Sequence, residues 1–280
     1  MIQDHHEITV HATSPVHGRG PVFYASMPFA AKTLRGYGTN GAGDRHRLVC
    51  ALWDHLAAME SPLWKHGQSS NRAAFPIQVV RGPLGRPQLV LGEYRGPAIS
   101  FSEDGGTLWA ALCGDESDIG IDAAGTDEFT GEYPYNRVFH PQELQHALQL
   151  AGGDLEKASA LLWSVKEAVV KALGCAFHLV DPQQITVYPS VGGPTGEDGG
   201  YTFPVGLSGK ALLRFPGAAR GSLWVRSLSH MKMWLSIALL TGGAPQAPSC
   251  GLGQGAHKIV PHSLPGSPAW WAGSFNGQHR

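Results

Sequence analysis

The sequence has few cysteines, few charged residues and no charge excess of either sign, and each shortage excludes a class of protein. Its four cysteines lie far apart in 280 residues and form no C-x-x-C pair, so we expect neither a zinc ribbon nor a disulfide framework. Charged residues make up 15% of the chain, and the 21 basic and 22 acidic residues nearly cancel. A general nucleic-acid binder or membrane-surface binder would carry more charge of one sign.

Long apolar runs are also missing. No segment provides the roughly 20 consecutive apolar residues that a helix needs to span a bilayer. Residues 1–20 contain no apolar run behind basic residues, which is the pattern of an export signal. We therefore expect a cytoplasmic protein that contacts neither membrane nor nucleic acid.

The order of apolar stretches predicts an α+β fold. In the first half, short strand-like stretches surround one amphipathic helix that we expect to begin at an Asp44 N-cap. In the second half, a strand and a helical region over 141–173 precede further strands, among them one predicted at 210–215. We predict two similar, pseudo-symmetric lobes, each a main helix packed on an antiparallel sheet, with the active site in the cleft between them.

Composition divides the chain into three parts. We assign residues 1–115 to an N-terminal lobe and residues 116–242 to a C-terminal lobe. Residues 243–280 are rich in Pro, Gly and Ser and have no periodicity, so we expect a disordered tail.

The helix predicted near residues 161–173 carries a charged stripe opposite its apolar face. Trp163, Glu167 and Lys171 recur at four-residue spacing. Glu167 and Lys171 could be an ordinary exposed ion pair, but the apolar strand "IGID" upstream ends in another acid, Asp122. A strand-end carboxylate and a helix glutamate can converge on one Mg²⁺ that also binds substrate phosphates, and nearby lysines would neutralise those phosphates.

These two stretches together resemble a known family. "GID" at 120–122 followed by "WSVKEAVVKALG" at 163–174 resembles the signature of the 4′-phosphopantetheinyl transferase superfamily, in its larger two-lobed form. The resemblance spans about residues 44–240, and the segments that match in order are "DRHRLVCALWDHL", "GRP", "ISFSEDGG", "RVFHPQEL" and "GCAFHLVDPQQITV".

The resemblance implies an enzyme, a Mg²⁺-dependent holo-carrier-protein synthase that works as a monomer, with a place in secondary metabolism. Such enzymes transfer the 4′-phosphopantetheine arm of coenzyme A to a serine hydroxyl of an acyl, peptidyl or polyketide carrier protein, and release adenosine 3′,5′-bisphosphate. Carried over to this sequence, Asp122 and Glu167 would hold Mg²⁺, with Glu167 also the general base. Lys166 and Lys171 would contact phosphate or the carrier. The remaining coenzyme A contacts would come from Arg47, Arg86 and Ser102.

The sequence departs from the family pattern at two positions. Ala124 stands where the family has a second acidic metal ligand, and Glu103 stands where it has a phosphate-binding histidine. Asp104, or less favourably Glu103, could supply the missing acid, whereas Glu103 should repel a nearby phosphate by about 1 kcal/mol. Because of these departures, an alternative is that the protein is a catalytically degenerate relative of the family, which binds coenzyme A or a carrier protein but transfers no phosphopantetheine.

Two further alternatives are weaker. Residues 36–41, "GYGTNG", match G-x-G-x-x-G before a helix, but no buried strand precedes them and no acid ends a strand about 20 residues later. A dinucleotide enzyme is therefore disfavoured. The fourteen histidines include no pair at metal-ligand spacing, so we interpret them as solvated.

Overall fold

A computed structural model describes residues 8–13, 21–28, 40–58, 76–92, 94–114, 117–131, 133–193, 199–220, 222–230 and 232–241. The predicted tail, residues 36–39 of the glycine-rich motif and the lobe boundary at 115/116 lie outside the described residues. Within the described part of the chain, no helix is long and apolar enough to cross a membrane.

The first half forms a six-stranded antiparallel sheet with one main helix. Its elements are β1 (Thr9–Thr13), β2 (Val22–Pro28), α1 (Asn40–Ala58), β3 (Ile77–Arg81), β4 (Pro87–Leu91), β5 (Tyr94–Asp104) and β6 (Thr107–Cys113). The strand order is β1-β2-β6-β5-β4-β3. Strands β3 and β4 form one antiparallel hairpin, and β5 and β6 form another.

The second half forms a five-stranded antiparallel sheet in the order β7-β11-β10-β9-β8. Its elements are β7 (Asp118–Gly125), α2 (Tyr135–Val138), α3 (Pro141–Leu150), α4 (Leu155–Ala172), β8 (Ile185–Val187), β9 (Tyr201–Leu207), α5 (Gly209–Arg214), α6 (Pro216–Arg220), β10 (Ser222–His230) and β11 (Met233–Thr241). Each half thus packs a main helix, α1 or α4, on an antiparallel sheet, and the predicted α+β fold is confirmed.

The two sheets pack against each other through the faces that their helices leave uncovered. Along β6, Leu108, Ala110 and Leu112 face the core under α1, while the alternate residues Trp109, Ala111 and Cys113 join a separate core. That core also contains Ile119, Ile121 and Ala123 of β7, because alternate residues of a strand point to opposite faces. The layers therefore run α1, first sheet, second sheet, α4, and Asp122 is on the α4 side of β7.

One predicted helix start is wrong, and one predicted helical region, whose two ends are confirmed, is divided into two helices. Helix α1 begins at Asn40, so Asp44 is an interior residue that pairs with Arg47 at 3.9 Å instead of capping the helix. The helical region expected over 141–173 is two helices, because the chain turns at Gly152 and Gly153, whose φ angles are 67° and 86°. Asp154 then caps α4 by accepting a hydrogen bond from the Lys157 backbone N–H at 3.0 Å.

The strand predicted at 210–215 is also wrong, because residues 209–214 form helix α5. Lysine, alanine, leucine and arginine are all strong helix formers, and this intrinsic preference outweighs the weak apolar pattern. Only Ala211 is fully buried, while Leu213 is 81% exposed. A strand with so little buried surface would gain little from pairing with the sheet.

Helix α4 lies unusually close to β7 at Gly120, the glycine of the "GID" stretch. A Cβ atom at this position would be 1.9 Å from the Ala168 carbonyl oxygen and 2.5 Å from the Ala172 backbone nitrogen. Both of these atoms belong to the helix backbone, which a side-chain rotation cannot move away. Glycine at 120 therefore allows the close contact that brings Asp122 beside the charged face of α4.

Replacing Gly120 with alanine should push α4 away from β7. We expect the free energy of unfolding to fall by about 1–3 kcal/mol, which is the usual cost of overpacking a core. Chemical denaturation measures this change. Gly193→Ala is the matched control, because no atom lies within 4 Å of a Cβ at that position; equal stability of the two variants would contradict the close-packing explanation.

Candidate functional site

Four of the predicted site residues, namely Ser102, Asp122, Glu167 and Lys171, meet where β5 of the first sheet reaches β7 of the second. Strand β7 is at the edge of its sheet, and two serine side chains of β5 bind its outer backbone groups. The Ile121 N–H donates to Ser100 Oγ at 3.1 Å, and the Ala123 N–H donates to Ser102 Oγ at 3.2 Å. Both neighbours of Asp122 are therefore fixed to β5, which holds the carboxylate in place.

Asp122, Ser102 and Lys171 form one hydrogen-bonded group. Ser102 Oγ donates to Asp122 Oδ1 at 3.0 Å, and Lys171 Nζ lies 2.6 Å from the same oxygen and 3.3 Å from Ser102 Oγ. One turn earlier on α4, Glu167 Oε2 lies 4.0 Å from Lys171 Nζ. The structure thus brings Asp122 and Glu167 together around one lysine, as predicted. The prediction that Asp122 ends its strand is wrong, because β7 continues to Gly125.

Burial disfavours ionisation of both acids, and repulsion between like charges adds to it at Glu167. Burial raises the pKa of Asp122, and the salt bridge with Lys171 and the Ser102 hydrogen bond only partly oppose this. Burial, followed by repulsion from Asp122, raises the pKa of Glu167 to about 7, against the opposing effect of Lys171. A carboxyl group with a pKa near neutral can accept a proton at physiological pH and is well suited to be a general base.

Three further acids, Asp104, Asp127 and Glu128, lie beside this group, and of these the sequence predicted only Asp104. Asp104, at the end of β5, hydrogen-bonds through its side chain to Glu128, which follows β7 in a 3₁₀ turn with Asp127. Loss of water, followed by repulsion from Asp104, Asp122 and Asp127, raises the pKa of Glu128 to about 7. Glu128 is six residues after Asp122 in "DAAGTDE". This acidic run directly after the strand was the signal that could have identified it.

The stability of the metal-free protein should fall as pH rises. The folded-state pKa of Glu167 is about 7 against an ordinary value of 4.5, so the folded protein retains a proton that the unfolded chain loses between these values. Stability from this group is full below about pH 4.5 and is lost as pH rises through about 7. We expect the melting temperature to drop from about pH 5 to about pH 8, and the drop to be smaller in Glu167→Gln. An identical pH profile for the two proteins would contradict the raised pKa.

Lys166 does not reach this site, so its predicted contact with phosphate or carrier is wrong for this structure. Its side chain is fully buried on the other side of α4, where Nζ pairs with Glu143 Oε1 at 2.6 Å. Nζ also donates to the backbone carbonyls of Val138, Pro182 and Ile185 at 2.9–3.0 Å. Adjacent residues on a helix point about 100° apart, and here the Lys166 side chain enters the core while Glu167 faces the site.

The two predicted arginines lie at the margin of the site. Arg86 Nη2 donates to Asp118 Oδ1 at 2.6 Å, and the Arg86 side chain lies against Gly174 after the end of α4. Arg47 is exposed on α1 and pairs with Asp44. Their predicted contacts with coenzyme A stay predictions.

Glu103 is paired with a residue that the sequence analysis passed over. Arg45 Nη2 lies 2.5 Å from Glu103 Oε1, so a cation already partners the carboxylate that was expected to repel phosphate. Arg45 and Arg47 are two residues apart and about 200° apart around α1. Sequence alone could not say which arginine faces β5.

A divalent ion fits the donor set at Asp122 and Glu167, although the described residues contain no group of three or more acids, histidines or cysteines arranged to hold one. Two carboxylates are the usual protein contribution to Mg²⁺, with substrate phosphates and water completing the shell. Burial raises the pKa of both acids in spite of Lys171, so a bound cation would favour their ionised forms. Ala124 is buried in the core under α4 and provides no ligand.

Comparisons with known proteins agree with this geometry. The family model for the 4′-phosphopantetheinyl transferase superfamily matches residues 118–206, which include Asp122, Glu167 and Lys171. A protein of Synechocystis sp. that carries the provisional name 4′-phosphopantetheinyl transferase is 27% identical over 183 residues; the match covers 62% of this chain and 66% of the relative.

Two solved structures from Chronobacterium ammoniagenes are also similar. An ACPS-CoA complex has a TM-score of 0.37 at 20% identity and covers 46% of this chain and 98% of its own. The apo-ACPS structure has a TM-score of 0.35 at 21% identity and covers 44% of this chain and 95% of its own. Over residues 118–206, which carry the sequence motifs and the candidate site, this chain is similar to the 4′-phosphopantetheinyl transferase superfamily.

Proposed function

We propose that this protein transfers the 4′-phosphopantetheine arm of coenzyme A to a serine hydroxyl of an acyl, peptidyl or polyketide carrier protein. Adenosine 3′,5′-bisphosphate is the second product. The reaction depends on Mg²⁺, and the protein acts as a cytoplasmic monomer. The similarity of residues 118–206 to the family supports the class of reaction, whereas the carrier, the metal ion and the oligomeric state are part of the proposal.

One observation carries the proposal: Asp122, Glu167 and Lys171 converge beside Ser102. Two acids with raised pKa values and one lysine provide the groups that attack on a pyrophosphate needs, namely a base, a metal-binding pair and a cation for phosphate oxygens. A purely structural ion pair between Lys171 and Asp122 would not require a second acid beside it, Glu167, whose pKa is about 7.

The residues of this chain have distinct roles in the proposed step. Glu167 accepts the proton of the carrier serine hydroxyl, whose oxygen forms a bond to the phosphorus that bears the pantetheine arm. The bond from that phosphorus to the bridging oxygen breaks, and the electron pair leaves with adenosine 3′,5′-bisphosphate. Lys171 binds phosphate oxygens, and Ser102 keeps Asp122 oriented.

Asp122 and Glu167 would hold the Mg²⁺ ion, with Asp104 as the proposed third acid. When bound, the ion neutralises charge on the pyrophosphate and acts as a Lewis acid. The hydrogen bond between Asp104 and Glu128 favours the protonated form of Glu128 and the ionised form of Asp104, which is the form that can bind a metal ion.

The test is to mix the protein with Mg²⁺, coenzyme A and an apo carrier protein from each of the three classes, and to record intact mass. We expect one carrier class or more to gain the mass of one phosphopantetheine group. A carrier whose acceptor serine is replaced by alanine should gain nothing. Coenzyme A binding without transfer to any carrier would instead favour the degenerate relative, which the absence of an acid at Ala124 motivates.

A further inference from the structure

Three serine hydroxyls form a buried chain between α4 and the second sheet. Ser164 Oγ of α4 lies 2.7 Å from Ser236 Oγ of β11, which in turn lies 2.8 Å from Ser227 Oγ of β10. All three residues are 0% exposed. A hydrogen bond in such a dry environment has a strict geometry, so the chain gives direction to a contact that is otherwise apolar.

The chain begins next to a residue of the candidate site. Ser236 is directly opposite Asp122 in the β7–β11 pair, and Ser227 is directly opposite Ser236 in the β10–β11 pair. Residues that are directly opposite each other place their side chains on the same face of a sheet, with Cβ atoms about 4.5–5.5 Å apart. Asp122, Ser236 and Ser227 therefore form one polar row across three adjacent strands, on the face that α4 covers.

The number of hydrogens fixes the direction of the hydrogen bonds in this chain. Each serine hydroxyl has one hydrogen to donate. Ser164 donates its hydrogen to the Leu161 carbonyl oxygen at 2.9 Å. Ser236 therefore donates to Ser164, and Ser227 donates to Ser236. The hydrogens point toward α4 and away from Asp122, so the chain holds the helix and does not pass a proton to the carboxylate.

Helix α4 has two polar contacts with the part of the sheet that carries Asp122. Lys171 binds Asp122 itself, and Ser164, about two turns earlier on the same side of the helix, binds the residue opposite Asp122. Lys166 also joins α4 to this sheet, but at β8, which is the opposite edge. In the proposed reaction Lys171 binds phosphate oxygens, whereas the Ser164 contact is buried and stays in place when substrate binds.

We propose that Ser164 and Ser236 are positioning residues of the transferase site. Their hydrogen bond fixes where α4 lies on the sheet, and it thereby sets the separation between the carboxylates of Glu167 and Asp122. Glu167 is three residues after Ser164, less than one helical turn, so a shift of the helix at Ser164 also moves Glu167. The inference rests on the proposed function, in which these two carboxylates hold one metal ion.

Single alanine variants separate this link from other buried hydroxyls. Ser236→Ala and Ser164→Ala each break the hydrogen bond between helix and sheet. Ser227→Ala leaves that bond in place and is the first matched control. Ser159→Ala is the second, because Ser159 is an equally buried serine of α4 whose hydroxyl donates to Leu155 of the same helix.

The readouts are Mn²⁺ affinity, measured by electron paramagnetic resonance with coenzyme A present and no carrier, and kcat for transfer. We expect Ser236→Ala and Ser164→Ala to bind Mn²⁺ about 10-fold more weakly, as when the support of a metal ligand is lost. Misplacement of Glu167 should also lower kcat by about 10-fold or more. Both controls should match the unaltered protein in Mn²⁺ affinity and in kcat.

A triple alanine variant at positions 164, 227 and 236 separates positioning from stability. In Ser236→Ala the Ser227 hydroxyl loses its acceptor, which destabilises the fold. The triple variant has no hydroxyl left without a partner in this chain, so its melting temperature should be higher than that of Ser236→Ala. Its Mn²⁺ affinity and kcat should stay low, because the link between α4 and β11 is still missing.

The outcomes distinguish this inference from the proposed function. Recovery of Mn²⁺ affinity and kcat together with the melting temperature in the triple variant overturns the positioning role, and so does a Ser236→Ala protein that equals Ser227→Ala in both readouts. If the unaltered protein binds Mn²⁺ but transfers nothing, and Ser236→Ala weakens that binding, only the proposed function is overturned. An unaltered protein that neither binds Mn²⁺ nor transfers overturns both.

Discussion

Replacing Glu167 with glutamine should lower the rate of phosphopantetheine transfer by about 100-fold or more, because a positioned general base is usually worth about 10²–10⁴ in rate. Glutamine has nearly the same shape but cannot accept the serine proton, and its amide is a poorer ligand for a hard divalent ion. The loss should be in kcat, measured from carrier mass at saturating coenzyme A.

The fold should survive this replacement. Removing a carboxyl group whose pKa is about 7 also removes repulsion with Asp122, so the melting temperature should stay the same or rise. Glu156→Gln, in the exposed first turn of the same helix, is the control and should be fully active. A Glu167→Gln protein that transfers at the normal rate would remove Glu167 from both proposed roles.

Replacing Lys166 with methionine should destabilise the protein by about 3–5 kcal/mol, the usual cost of breaking a buried ion pair by removal of one partner. Lys166 and Glu143 are almost completely buried, and Glu143 also accepts hydrogen bonds from the His140 and Val187 backbone N–H groups. The pair therefore links α3, α4 and β8. Without the lysine, Glu143 would be an uncompensated buried charge, and three backbone carbonyls would lose a donor.

Chemical denaturation measures the effect, with Lys157→Met on the exposed face of α4 as the control that should change stability by less than about 0.5 kcal/mol. The double variant Lys166→Met, Glu143→Leu should recover much of the loss, because buried ion pairs can often be replaced by apolar residues. If Lys166→Met were stable and had a raised KM for coenzyme A, the structural role would be wrong, and the result would support the phosphate contact that the sequence predicted.

The sequence predicted the centre of the site because its determinants are local. The four-residue spacing of Glu167 and Lys171 places them on one face of any helix, and Asp122 is the one acid within the apolar stretch "IGIDAAG". The strand continues to Gly125, so Asp122 lies inside β7 and not at its end, as the sequence had suggested. The same reasoning could not show that Glu167 faces the site while Lys166 is buried, since both are charged neighbours in one motif. Their difference comes from Glu143, a residue on another helix that only the folded chain brings to Lys166.

Other contacts depend on how elements that are distant in the sequence pack together. Arg45 and Arg47 are equivalent in the sequence, and only the packing of α1 against the first sheet shows that Arg45 meets Glu103. The partner of Asp104 is likewise Glu128, from the opposite sheet. Helix α5 was mistaken for a strand because a short stretch of strong helix formers with one buried residue has no clear period.

The most direct test of the account is to locate the metal ion. Crystals grown with coenzyme A and Mn²⁺ in place of Mg²⁺ would show the ion by its anomalous scattering. We expect one strong peak about 2.0–2.3 Å from carboxylate oxygens of both Asp122 and Glu167, and bound to phosphate oxygens of the coenzyme. Coenzyme A bound with the ion held by other groups, or with no ion between these two acids, would contradict the account.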